Sequence, residues 1–130
     1  MFSLTLFVFA ATVLPLAALQ IPAGGGESAF MCNLKALTPP ERAEHQQLTA
    51  RLAEAVRATR EVADGYAFEV DSTRISFVDL ARWSEFERRC CPFFDFTLEA
   101  RREHGPMTLQ LTGRDGVKAF IRVEFPRAFR

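Results

Sequence analysis

A small α+β domain is predicted by three stretches of alternating apolar and polar residues, two longer stretches with apolar residues three or four apart, and a change of composition just before Phe30. The expected order is α-β-α-β-β-α, with about three antiparallel strands and the helices packed on one face of the sheet. Residues 30–130 form the domain, and residues 1–29 form a hydrophobic leader with a glycine-rich joint.

Thr38-Pro39-Pro40-Glu41 signals the first helix. Thr38 suits the cap, Pro39 the first helical position, and Glu41 completes a capping box. Leu48, Leu52 and Val56 mark its buried stripe, which extends back to His45 and Glu41; the helix is expected to run to about Thr59. Asp64-Gly65 is a turn, and Tyr66, Phe68 and Val70 alternate as a strand. Ser76 with Asp79 opens a second helix ending at Cys90 or Cys91 before Pro92. Its stripe is Phe77, Leu80, Ala81, Ser84, Glu87 and Cys91, flanked by Trp83 and Cys90. Phe94, Phe96 and Leu98, then Met107, Leu109 and Leu111, form a hairpin across the His104-Gly105-Pro106 turn. Asp115-Gly116 opens a last helix with Val117, Phe120, Ile121 and Phe125 inward, ended by Pro126.

The leader, Phe2 to Leu19, is uncharged, and no Lys or Arg precedes Lys35. It reads as an export signal, a membrane anchor or a mis-assigned start. If Met1 is the true start the protein is exported or anchored; if translation starts near Met31 it is cytoplasmic. Contact with a membrane is expected only through this segment.

Sixteen basic and sixteen acidic residues cancel, which argues against a nucleic-acid partner. An odd count of three cysteines does not make a disulfide framework. Reduced thiols suit a cytosolic domain better than an oxidising compartment.

Several blocks occur together: Phe30-Met31-Cys32-Asn33-Leu34-Lys35-Ala36-Leu37, Glu41-Arg42 with His45, Glu87-Arg88-Arg89-Cys90-Cys91-Pro92-Phe93, and Leu111-Thr112-Gly113 with Gly116, Lys118 and Phe120. With this set, residues 30–125 resemble a family of small uncharacterised bacterial proteins, the CCPF block after a helix being its most specific part. The resemblance implies a bacterial domain of this size and carries no mechanism. Such proteins often begin near the position of Cys32, so the leader departs from the pattern the resemblance implies.

The residues with visible chemistry are Cys90, Cys91, Cys32 and His45 as candidate metal ligands, with Glu87 and Glu41 in support. Glu87 precedes the cysteine pair by three and four residues, the spacings that meet on a helix. Thiolate and imidazole bind zinc and softer thiophilic ions such as copper(I) or mercury(II). A helix C-terminus disfavours thiolate, and Arg88 and Arg89 are expected to oppose that effect. A plain packing account stands beside this one. Buried cysteines often only fill space, His45 suits a satisfied core histidine, and Glu41 is explained by its cap. Glu87 on an apolar stripe is harder to explain that way, because a buried carboxylate needs a partner; His45 and Arg42 are the candidates.

Three function classes follow. The first is a small metal- or metalloid-binding protein using the vicinal pair, in heavy-metal handling. The second is a thiol redox protein in which one cysteine of the pair attacks, the other resolves, and His45 is the base. The third is a non-catalytic structural or interaction domain.

Overall fold

The computed structural model describes residues 29–130. A short 3₁₀ turn, Leu34–Ala36, leads into helix α1, Pro39–Ala55. Strands β1, Val56–Val62, and β2, Gly65–Val70, follow, then helix α2, Phe77–Cys90. Strands β3, Asp95–Ala100, and β4, Met107–Thr112, precede helix α3, Val117–Glu124, and a closing 3₁₀ turn, Pro126–Phe129. The sheet is antiparallel throughout, in the order β1-β2-β4-β3. The fold class is α+β as expected, with four strands where about three were expected.

The additional strand is β1, placed by the sequence reading in the last turn of α1 and the loop after it. Its residues do not alternate, and only Val56, Thr59 and Val62 are half-buried. Pairing with β2, from Val62↔Gly65 to Val56↔Val70, overrides the helical spacing that Val56 continues. Gly65 is required at the start of β2, because a Cβ there would collide with the Leu111 carbonyl.

Both helix caps form. Glu41 N donates to Thr38 Oγ1 while Thr38 N donates to Glu41, and Asp79 N donates to Ser76 Oγ. Gly116, at a φ of 96°, caps α3 in the left-handed region. Across the sheet Phe68 opposes Leu109, which opposes Leu98; Tyr66 opposes Leu111, which opposes Phe96. This face meets Leu48 and Leu52 of α1, Leu80, Trp83 and Phe86 of α2, and Ile121 of α3 in one core. Trp83 is fully buried, and its Nε1 donates to Thr49 Oγ1 at 3.0 Å.

The expected leader lies outside the described residues except for Ala29. Among the described residues, no helix is long and apolar enough to cross a membrane.

Candidate thiol and metal site

The site sits where α1, the end of α2 and the segment before α1 meet. His45 comes from the buried stripe of α1, while Glu87 and Cys90 come from the last turn of α2. Cys91 is the C-cap of α2, and its N–H donates to the Glu87 carbonyl. Cys32 lies on the incoming chain, held in place because Asn33 N donates to the Cys90 carbonyl at 2.7 Å. A second clamp lies nearby, where Arg89 donates to the Ala36 carbonyl at 2.8 Å and to Glu41 at 2.7 Å.

Two groups of potential ligand atoms form among the described residues, each with its atoms within 4.8 Å of one another. One is Cys32, Glu87 and Cys91; the other is His45, Glu87 and Cys90. Glu87 belongs to both. His45 Nε2 lies 2.7 Å from Glu87 Oε1, so His45 is the carboxylate's partner. Arg42 donates instead to the carbonyls of Leu34 and Leu37. Exposure is only 8 % at His45, 3 % at Glu87, and 0 % at Cys90 and Cys91. Among the described residues, Glu87 Oε2 is buried with no hydrogen-bond partner. The ring of His45 stacks near Trp83 and meets the edge of Phe86, which fixes its orientation.

Cys32 and Cys91 are joined by a disulfide, with their Cα atoms 4.5 Å apart. Cys90 is free, its Sγ 3.5 Å from Cys91 Sγ. An odd count of cysteines therefore leaves room for one bridge, and the bridge joins Cys91 to Cys32 rather than to its neighbour. The spacing of 59 residues offers no local signal of that pairing.

Burial pushes the Cys90 thiol up to about 12, and the charge of Glu87 pushes the same way. Arg89 opposes this only weakly, because its guanidinium is engaged by Glu41. Arg89 thus acts in the expected direction, and desolvation with the charge of Glu87 outweighs it. Glu41, expected to support the site, accepts from Arg89 and from the Thr38 backbone, which hold its carboxyl at about 2.

A cavity of about 550 Å³ opens onto these residues. Phe30, Gln46, Thr49, Phe120 and Glu124 also line it. Of these, Phe120 carried a sequence signal as an inward residue of α3, and Phe30 opens the block that holds Cys32; Gln46, Thr49 and Glu124 come from positions no local pattern connects.

No protein-family profile, curated protein or solved structure matches this chain.

Proposed function

We propose that the reduced domain binds a thiophilic metal or metalloid, as a protein of heavy-metal handling. Cys90, Cys91 and Cys32 are the sulfur ligands, with His45 and Glu87 completing the set. The observation that carries this reading is the unpartnered, buried Glu87 Oε2 at the meeting point of the two ligand groups. A buried carboxylate is costly unless it is paired or coordinates a cation. Three sulfurs with one imidazole suit zinc, and the sulfur-rich set favours softer species such as copper(I), mercury(II) or trivalent arsenic. Because Cys90 holds its proton up to about 12, capture must displace that proton, and affinity rises with pH.

The test is retention of arsenite and of zinc by phosphine-reduced protein after gel filtration, read by elemental analysis. One equivalent per chain is expected for at least one of them, lost in Cys90→Ser with Cys91→Ser while circular dichroism is kept. No retention of either by the reduced parent would overturn this reading.

One observation favours thiol redox chemistry as a second reading: the free Cys90 Sγ stands 3.5 Å from a disulfide sulfur. Cys90 gives its proton to His45 or Glu87 and attacks Cys91 Sγ. The Cys91–Cys32 bond breaks, and Cys32 leaves as a thiolate that takes up a proton, with no net change in oxidation state. Peptide mapping after alkylation reads it: labelling of Cys32 in the non-reduced protein supports the exchange, and labelling confined to Cys90 opposes it.

A further inference from the structure

A second cavity, of about 230 Å³, adjoins the thiol site, and Thr49, Glu124 and Phe125 line both. Its other walls are largely apolar, from Leu52, Phe68, Trp83, Leu109 and Leu111. On the shared wall the Glu124 side chain is exposed, and the Thr49 hydroxyl is already satisfied. Thr49 Oγ1 donates to the His45 carbonyl at 2.8 Å and accepts from Trp83 Nε1 at 3.0 Å. Protein interiors are close-packed, and an apolar void of about 150 Å³ is enough to take up benzene. A bare ion coordinated by the sulfurs would fill none of this space.

We infer that the ligand is an organic derivative of a thiophilic metal or metalloid, with a phenyl ring or short alkyl group in the apolar cavity and the metal(loid) atom on the cysteines. The inference rests on the metal(loid)-binding reading above and specifies its ligand class. For an aryl arsenic(III) oxide, with the cysteines kept reduced by a phosphine, the step is a ligand exchange. Two thiols transfer their protons to the oxide oxygen, which leaves as water, and two arsenic–sulfur bonds form. Arsenic stays trivalent and its bond to carbon is kept.

The experiment titrates full-length, phosphine-reduced protein with phenylarsine oxide and separately with arsenite. It uses the parent and two variants that fill the apolar cavity, Ala53→Leu and Ala128→Leu; both alanines line that cavity and not the thiol one. In the parent both compounds bind, and the sole tryptophan, Trp83, changes its emission with phenylarsine oxide and not with arsenite. In whichever variant keeps the parent's circular dichroism, phenylarsine oxide binding weakens by roughly tenfold or more, the scale of overfilling a packed site, while arsenite binding stays within about twofold. Equal loss of both compounds, or no loss of phenylarsine oxide, overturns the inference and leaves the metal(loid) reading standing. Failure of the parent to bind either compound overturns the inference, and the metal(loid) reading falls with it only when zinc is not retained either.

Discussion

Cys90 ends α2 at the negative pole of the helix, sealed from water and beside a carboxylate. Each of these factors favours the neutral thiol. Replacing Glu87 with Gln removes the charge contribution, so the Cys90 thiol should titrate at lower pH. Thiolate absorbance of the disulfide form, in which Cys90 is the free cysteine, measures this against Cys90→Ala. The same shift has a consequence for stability. The folded thiol keeps its proton from the ordinary 9.0 up to about 12, while the unfolded thiol loses it. Its contribution is therefore intact below the ordinary value and is lost as pH rises through that window. Denaturant midpoints of the parent should fall more steeply above about pH 9 than those of Cys90→Ala. Trp83 was legible from its place beside the stripe of α2, and its complete burial follows. Trp83→Ala should cost about 3 to 5 kcal/mol in chemical denaturation; a near-neutral result would contradict its place in the core.

The elements read well where the signal is local and poorly where pairing decides. The Thr38-Pro39-Pro40-Glu41 start of α1 was legible because a cap needs only four consecutive residues, and the hydrogen bonds form as that pattern requires. Thr38→Ala should accordingly cost about 1 kcal/mol of unfolding free energy, against no change if the cap contributes nothing. β1 was not legible, since Val56-Arg57-Ala58-Thr59-Arg60-Glu61-Val62 has neither alternation nor a helix-ending glycine. It is an edge strand whose charged side chains pair outward, Arg57 with Asp71 and Glu61 with Lys118. Charge on an edge strand discourages pairing with other chains, and it also hides the strand from a hydrophobic pattern.

In the whole molecule, the convergence of Cys32, His45, Glu87, Cys90 and Cys91 was readable in part. Helical spacing groups Glu87 with the cysteines, and the stripe of α1 turns His45 inward. The bridge from Cys32 to Cys91, the diversion of Glu41 to Arg89 and the apolar cavity were not readable. Each depends on segments distant in sequence that only the packed sheet and helices bring together. The bridge closes a long loop, with a separation of 59 residues. Reducing it should lower stability by about 2 to 4 kcal/mol. For a domain of this size that is on the order of 10 °C or more in the thermal midpoint. Scanning calorimetry with and without a phosphine checks this, and Cys32→Ser should abolish the dependence on reductant.

The hydrogen bond from Asn33 N to the Cys90 carbonyl involves no sulfur, and neither does the grip of Arg89 on the Ala36 carbonyl. Neither depends on the bridge, so reduction is expected to leave Cys32 a tethered neighbour of Cys91. A tether of this kind gives an effective concentration of roughly millimolar or higher, whatever the concentration of the protein. With an external disulfide as oxidant, which takes up the two electrons and two protons, the step that joins Cys32 to Cys91 is intramolecular and independent of protein concentration. Were the proposed ion captured, the same tether would act as a chelate, with a released sulfur held close enough to rebind. Its residence time would then depend on how often the whole incoming segment peels off α2, rather than on the lifetime of any single bond to sulfur.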